Sequence, residues 1–174
     1  LHLLSQHTQL KIFVVPRHPE RFDEVDQLLK KYDIPYGRYT QDKQIDQKRL
    51  ILIDAMGLLR KLYQLSSLAI VAGSFTPKVG GHNILEPLWY ATPPIFGPHM
   101  FTQNQFLSLV LSAKAGRQIQ ASEIGQTVHD LLNDSFKRKQ MGLRGKDIFS
   151  KASGGTKITL EFIQKVLEKK GITS

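Results

Sequence analysis

Short apolar runs alternate with stretches of helical apolar spacing along most of the chain. The runs predict strands over residues 11–16, 36–40, 50–53, 68–72, 94–97 and 117–119. The helical stretches predict helices over residues 20–32, 58–65, 102–112, 122–132, 135–151 and 156–170, with a further helix beginning at Asn83 and with Ser122 as the N-cap of the 122–132 helix. Because strands and helices alternate up to about Leu132, the chain is predicted to be an α/β protein whose parallel sheet carries helices on both faces.

Residues 68–99 form the stretch around which the rest is organised. An apolar strand, a loop with Gly80 and Gly81, a helix start and a second strand follow one another in the order of a parallel βαβ unit. The glycines allow a ligand to come close to the main chain, and the helix start suits a phosphate. Asn83 and Glu86 also have the spacing of a capping box, which needs no ligand. The sequence leaves a cap alone and a phosphate site about equally favoured.

Three strand-to-helix loops carry unusual residues: 16–21, 54–59 and 80–86. Such loops all lie at the carboxyl edge of a parallel sheet, where open α/β folds bind ligands. The three loops are therefore predicted to be close in space, although they are far apart along the chain.

The side chains of these loops suggest binding roles. Arg17 is a planar, permanently charged donor suited to phosphate or carboxylate, with an ion pair to Glu20 or Asp54 as the alternative. Gly57 could let a base or sugar approach the backbone, or it is an ordinary loop glycine. Glu86 could accept hydrogen bonds from two ribose hydroxyls, in place of its capping role or beside it.

Several kinds of catalytic site are not indicated. His82 and His99 flank the central unit without a carboxylate cluster, so metal binding is not expected. Ser74 lies in Gly-Ser-Phe, which is not the nucleophile elbow of hydrolases. Neither a Walker phosphate loop nor a dinucleotide-binding glycine pattern occurs. If the chain is part of an enzyme, it is expected to hold the donor-binding half without the general base and to carry no catalytic residue of its own.

Composition sets limits on the class of protein. The 174 residues are 41% hydrophobic, enough for a core, and no cysteine is present, which excludes disulfides and thiolate metal sites. No apolar run approaches the ~20 residues of a membrane span. The chain begins at Leu1 rather than Met, which suggests a piece of a longer protein.

The charge is strongly basic. The net charge is +9, and residues 134–174 hold ten Lys/Arg and four Asp/Glu, a net of +6. Such an excess attracts nucleic acid, nucleotides or an anionic membrane, although a solvated helix surface accounts for it equally well.

Four motifs together resemble one family. PRHPERF at residues 16–22, DAMG at 54–57, AGSFTPKVGGHNILEP at 72–87 and FGPHMF at 96–101 come in the order and at roughly the spacing seen in the Kdo transferases of lipid A. These enzymes move 3-deoxy-D-manno-octulosonic acid (Kdo) from CMP-Kdo onto a lipid A precursor. The resemblance covers about the first two-thirds of the chain.

The resemblance implies an inverting GT-B glycosyltransferase built from two Rossmann-like domains. This chain would be the C-terminal one, a single Rossmann-like domain over residues 1–174 with C-terminal helices from about residue 122. The N-terminal domain, with its membrane anchor, acceptor site and general base, would be absent, so the chain alone is expected to be soluble and inactive. The whole enzyme would work at the cytoplasmic face of the bacterial inner membrane, without a metal or a cofactor beyond the donor substrate.

The resemblance also places the CMP site on the same three loops. Its residues would be Pro16, Arg17, Gly57, Leu58, Leu59, Asn83, Ile84, Leu85 and Glu86. Some family members have a glutamate where this chain has Leu58, so contacts at that position are expected from the backbone alone. Ile84 and Leu85 are likewise expected to contribute backbone N–H groups.

Other functions stay open on the sequence alone. A different GT-B enzyme that uses a UDP-sugar would share the fold. A basic nucleic-acid-binding module would explain the charge, but the aromatic residues are not interleaved with the basic ones, so no nucleic-acid partner is expected. A non-catalytic interaction domain would bind no nucleotide. The expected partners are CMP-Kdo, a lipid A precursor and an anionic membrane surface.

Overall fold

A computed structural model describes residues 2–81, 83–101 and 104–150 of the chain. These residues form two compact units, and each is made of two chain segments. The first unit combines the residues up to Ser67 with Ser122–Asp134, and the second combines Leu68–Ala121 with the described residues from Ser135. The helix predicted over residues 156–170 lies outside the described residues.

Strands and helices alternate, as predicted. The strands are β1 (Ile12–Val14), β2 (Gly37–Arg38), β3 (Leu50–Leu52), β4 (Ala69–Val71), β5 (Pro94–Phe96) and β6 (Arg117–Gln118). The helices are α1 (His2–Gln6), α2 (Phe22–Lys31), α3 (Leu59–Leu65), α4 (Leu85–Trp89), α5 (Asn104–Ser112), α6 (Ile124–Asn133) and α7, which is helical over residues 135–150. Short 3-10 turns occupy Pro19–Arg21, Ile45–Gln47, Ala72–Phe75 and Ala121–Glu123.

The first unit is built on a parallel sheet in the order β1-β3-β2. The central strand β3 is buried at every position, as its continuous Leu-Ile-Leu run predicts for a strand with parallel neighbours. Strand β1, predicted to be buried, is only half-buried. Helix α6 reaches α1 within this unit, where the rings of His7 and His129 are joined at 3.1 Å between Nε2 and Nδ1.

The second unit has its own parallel sheet, in the order β4-β5-β6. Its core joins the sheet to three helices: Val71, Ile84, Leu85, Leu88, Phe96, Met100, Val110, Ala115 and Ile148 are buried together. Helix α7 packs tightly against the end of α4. A methyl group added at Gly142 would overlap the main-chain carbonyl oxygen of Ala91, and one added at Gly145 would overlap the side chain of Leu88.

The α/β class and the parallel pairing are confirmed, and two details differ. The six strands pair in two groups of three, because alternation of elements predicts parallel pairing without specifying which strands exchange hydrogen bonds. Ser122 as an N-cap was wrong: α6 begins at Ile124 with Glu123 as N-cap, because Ser122 lies in the middle of a preceding 3-10 turn. No helix among the described residues is long and apolar enough to cross a membrane.

Candidate functional site

Two of the three predicted loops start side by side in the first unit. They follow β1 and β3, which are hydrogen-bonded neighbours with Val14 opposite Leu52. The Ile53 N–H donates to the Val14 carbonyl at 2.9 Å, so the pairing continues to the last residue before the second loop. The loops that carry Arg17 and Gly57 therefore leave the same edge of the sheet together.

Arg17 is exposed on the first of these loops, directly after the half-buried Pro16. Both partners suggested for an ion pair contact other groups: Asp54 binds Arg38, and Glu20 lies 3.8 Å from the Nδ1 atom of His18. Within the part of the chain that the structure describes, Arg17 makes no hydrogen bond or ion pair. The ion-pair alternative is therefore wrong, and the guanidinium group is available to an anion.

Asp54 begins the second loop, and its side chain is buried and hydrogen-bonded within the protein. Its side chain is only 2% exposed and accepts hydrogen bonds from Arg38 Nε at 2.6 Å, from the Thr40 N–H at 2.9 Å and from the Thr40 hydroxyl. Burial raises the pKa of Asp54, but the hydrogen bonds from Thr40 and Arg38 outweigh it and hold the pKa below its usual value. Asp54 is thus a carboxylate that ties the start of its loop to the end of β2.

Asp26 on α2 belongs to the same charged cluster. It accepts hydrogen bonds from Lys30 Nζ at 2.7 Å and from the Tyr36 hydroxyl, and Arg38 Nη1 lies 3.9 Å away. The hydrogen bonds from Lys30 and Tyr36 lower the pKa of Asp26, while burial and the bond to Asp26 raise the pKa of Tyr36 to about 12. An open depression of about 380 Å³ is lined by these four residues and by residues 41–43, and it includes none of the predicted site residues.

Gly57 occupies a turn that only glycine adopts easily. Its φ is +82°, and a methyl group added there would meet no atom within 4 Å. The main chain at Gly57 is therefore open to solvent, as a contact with a base or sugar requires. Leu58 and Leu59 are half-buried at the start of α3. The neighbouring Met56 is 59% exposed and was not among the predicted site residues. The sequence marked it only as an apolar residue in a strand-to-helix loop.

The glycines of the second unit are needed for packing as well as for conformation. Gly80 and Gly81 have φ values of +73° and +81°. A methyl group on Gly81 would overlap the Met100 sulfur and lie 3.0 Å from the His99 carbonyl oxygen, and one on Gly80 would lie 3.0 Å from the Phe101 ring. Close packing on residues 99–101 thus explains both glycines without a ligand.

The start of α4 combines a cap with buried side chains. The Asn83 Oδ1 atom accepts the Leu85 N–H at 2.9 Å, although Asn83 does not occupy the N-cap position. The helix begins at Leu85 with Ile84 as its N-cap, one residue later than a capping box with Asn83 as N-cap would place it. Ile84 and Leu85 are buried, and the Leu85 N–H is already bonded. Asn83 is exposed and Glu86 is half-buried, so these two side chains face the surface in part.

Ser74 has a role that the sequence did not suggest. It is fully buried, and its hydroxyl donates to the Val71 carbonyl and accepts the Gly97 N–H at 2.6 Å. The Ser74 carbonyl in turn accepts the His99 N–H at 3.0 Å. These bonds tie the end of β4 to the segment that follows β5, and they agree with the interpretation that Ser74 is not a nucleophile.

The described residues contain no candidate metal centre. No group of three His, Asp or Glu side chains in the described residues could hold a metal ion. His82, one of the two histidines considered, lies outside the described residues.

Comparison with known proteins identifies the family. No family model matches the chain. It is 36% identical over 154 residues, or 88% of its length, to a 3-deoxy-D-manno-octulosonic acid transferase of Chlamydia muridarum, and 33% identical over 170 residues, or 96%, to one of Haemophilus influenzae. The chain spans 36% and 40% of these two relatives.

A solved structure agrees with these relatives. The crystal structure of the C-terminal CMP-Kdo binding domain of WaaA from Acinetobacter baumannii matches 83% of this chain and 76% of that domain, with 30% identity and a TM-score of 0.74. The chain therefore belongs to the family of the 3-deoxy-D-manno-octulosonic acid transferases.

Proposed function

We propose that the chain is the donor-binding domain of an inverting glycosyltransferase that transfers Kdo from CMP-Kdo to a lipid A precursor in lipopolysaccharide core biosynthesis. The similarity to a domain named for CMP-Kdo binding supports the choice of donor. The structural observation that carries the proposal is Arg17. It is an exposed cation at the carboxyl edge of a parallel sheet, and no described residue neutralises it.

In the first unit, the proposed contacts are to the nucleotide. Arg17 binds the nucleotide or its phosphate through its guanidinium fork, and Pro16 lies beside it. Gly57, Leu58 and Leu59 contribute main-chain contacts. The absence of any atom within 4 Å of a methyl group placed on Gly57 supports this role, because a ligand needs that space to approach the backbone.

In the second unit, the proposed contacts come from Asn83, Ile84, Leu85 and Glu86. Glu86 accepts hydrogen bonds from the ribose hydroxyls. Because the side chains of Ile84 and Leu85 are buried, contacts from these two residues come from the main chain. The Leu85 N–H is already bonded to the Asn83 Oδ1 atom, so the N–H offered to the donor is that of Ile84, and the expected N–H contact from Leu85 is withdrawn.

The chemistry follows from an inverting transfer. The acceptor hydroxyl attacks the anomeric carbon of Kdo, the bond from that carbon to the phosphate oxygen breaks, and its electron pair leaves with CMP. A cation such as Arg17 stabilises the charge that develops on the leaving phosphate. We assign the base that takes the acceptor proton to a part of the enzyme outside this chain. The chain alone is therefore expected to bind donor and to be inactive, with no metal or cofactor besides CMP-Kdo.

Calorimetric titration tests the donor assignment. The chain is expected to bind CMP in preference to UMP and UDP, and Arg17→Ala and Glu86→Ala are each expected to weaken CMP binding by about tenfold or more, since a charge-assisted hydrogen bond contributes about 1.5–3 kcal/mol. Lys43→Ala is the control, because it removes an exposed cation outside the predicted loops and should leave the affinity unchanged.

Each rival predicts a different titration. Preferential binding of UDP would indicate a UDP-sugar enzyme. Equal binding of CMP, UMP and UDP would leave only a general phosphate site. Binding to any polynucleotide that weakens steeply with salt would indicate a nucleic-acid module. If Glu86→Ala lowers the melting temperature without changing CMP affinity, Glu86 is a helix-start residue and not a ribose ligand.

We further propose that the whole enzyme works at the anionic cytoplasmic face of the bacterial inner membrane, where its lipid acceptor lies. Helix α7 supports this: residues 135–150 hold five Lys/Arg and one Asp. Phe136 and Leu143, seven residues apart and so on one helix face, are 74% and 49% exposed. Exposed Lys139 and Lys146 carry positive charge on the same helix. Apolar side chains near lysines are typical of helices that lie on anionic bilayers.

Sedimentation with vesicles tests this surface. The chain is expected to bind phosphatidylglycerol vesicles in preference to phosphatidylcholine vesicles, and Phe136→Ser with Leu143→Ser is expected to reduce binding about tenfold. Leu65→Ser changes an exposed leucine on α3 and should have no effect. Equal binding by the α7 variant and the Leu65 variant would exclude α7 as the membrane-facing element.

A further inference from the structure

We infer that Asp54 is a positioning residue for donor binding: held by Arg38 and Thr40, it fixes the turn whose main chain at Gly57 contacts the nucleotide. This inference rests on the proposed function. It assigns a task to a carboxylate that lies among the predicted loop residues but was not predicted to touch the donor.

Asp54 is placed to hold the loop rather than to bind a ligand. Its side chain is 2% exposed, so it does not present its carboxylate to solvent. Among the described residues, the donors to its side chain from elsewhere in the chain lie on β2 and the turn after it: Arg38 Nε at 2.6 Å, and the N–H and hydroxyl of Thr40. The loop is therefore joined at its first residue to a neighbouring strand, in addition to its own strand β3.

The middle of the turn, at Met56 and Gly57, is exposed. Gly57 has a φ of +82° and no atom within 4 Å of the position of an added methyl group, and Met56 beside it is 59% exposed. Because no described atom packs against Gly57 on this side, the position of the turn depends on how its first residue, Asp54, is held. Only two residues, Ala55 and Met56, separate Asp54 from Gly57, so a shift at the carboxylate is carried to the open main chain.

Asp26 provides a matched control. It is also buried, also accepts several hydrogen bonds and also lies near Arg38, at 3.9 Å from Nη1. It differs in its position and in its donors: it lies on α2, outside the loop, and its hydrogen bonds come from Lys30 and Tyr36. Loss of its charge should disturb the same cluster without moving Gly57.

The experiment compares Asp54→Asn with Asp26→Asn in the 174-residue chain. Both substitutions keep the side-chain size and remove a buried carboxylate, so both are expected to lower the melting temperature. Calorimetry well below both melting temperatures is expected to show CMP affinity reduced about tenfold or more in Asp54→Asn and less than twofold in Asp26→Asn. The preference for CMP over UMP should also narrow in Asp54→Asn alone, since the misplaced turn contacts the nucleoside.

Thr40→Val is a milder second variant. It removes the hydroxyl and keeps the backbone N–H and the shape of the side chain, so it serves if Asp54→Asn does not fold. It is expected to reduce CMP affinity about threefold to fivefold. If Asp54→Asn, or Thr40→Val in its place, binds CMP like the wild type or no worse than Asp26→Asn, the inference is overturned while the proposed function stands. A wild-type chain that binds no CMP overturns the proposed function and this inference with it.

Discussion

Gly142→Ala is expected to destabilise the chain by about 3 kcal/mol, and Gly125→Ala to stabilise it by about 0.5 kcal/mol, although both replace a glycine inside a helix. Alanine favours helix over glycine by about 0.5–1 kcal/mol, which is the whole effect where space is open. At Gly125 in α6 no atom lies within 4 Å of the added methyl group. At Gly142 in α7 the methyl group overlaps the carbonyl oxygen of Ala91, a main-chain atom that cannot rotate away. Overpacking of this kind costs about 1–3 kcal/mol or more.

Thermal unfolding monitored by circular dichroism measures the difference. For a chain of this size, 1 kcal/mol shifts the melting temperature by about 2–4 °C, so Gly142→Ala should melt roughly 6–12 °C below wild type and Gly125→Ala slightly above it. If the two variants shift in the same direction, α7 does not pack on Ala91 as described. In Gly145→Ala the added methyl group contacts the Leu88 side chain, which can move, so the melting temperature of this variant should lie between those of the other two.

Ser74→Ala is expected to cost about 2–3 kcal/mol, far more than loss of one hydroxyl at the surface. The variant leaves the Gly97 N–H without its acceptor and the Val71 carbonyl without its donor, in a site closed to water. Each buried group left without a hydrogen bond costs about 1–3 kcal/mol.

Ser112→Ala is the control for this substitution. Ser112 is an exposed serine whose hydroxyl also donates to a main-chain carbonyl, that of Leu109 at 3.1 Å. Because water can replace the Ser112 hydroxyl at this exposed site, Ser112→Ala should change the free energy of unfolding by no more than about 0.5 kcal/mol. Urea unfolding of both variants gives the free energies directly, and equal losses would mean that the Ser74 bonds are no stronger than surface ones.

The elements that the sequence predicts best are those with local causes. Strand β3 follows from an apolar run with parallel neighbours on both sides. Helix α1 was missed because what holds it is remote in sequence: the Arg49 guanidinium group donates to the carbonyls of Leu4 and His7 at 2.5 and 2.6 Å, and its Nε to that of Leu10 at 3.3 Å. The sequence around α1 cannot show that its carbonyl groups will be bound by an arginine more than forty residues away.

The candidate site shows the same division. The neighbouring origin of the loops with Arg17 and Gly57 follows from parallel topology and was predicted. The partner of Asp54 was not predicted, because the pairing depends on strand register. Arg38 lies opposite Leu52, two residues before Asp54, and this register brings the Arg38 guanidinium group to the Asp54 carboxylate. Register is a property of the folded sheet, so the sequence alone suggested Arg17 as a partner of Asp54 and did not point to Arg38.

The order in which the two units are built from the chain has a consequence for synthesis on the ribosome. The first unit needs α6, yet β4, β5 and β6 of the second unit all precede α6 in the sequence. The nascent chain must therefore carry all three strands of the second sheet before the first unit can be completed, and completion of the second unit then requires α7. The two units therefore cannot fold one after the other as the chain emerges from the ribosome. A cut after Ala121 would remove α6 from the first unit and α7 from the second.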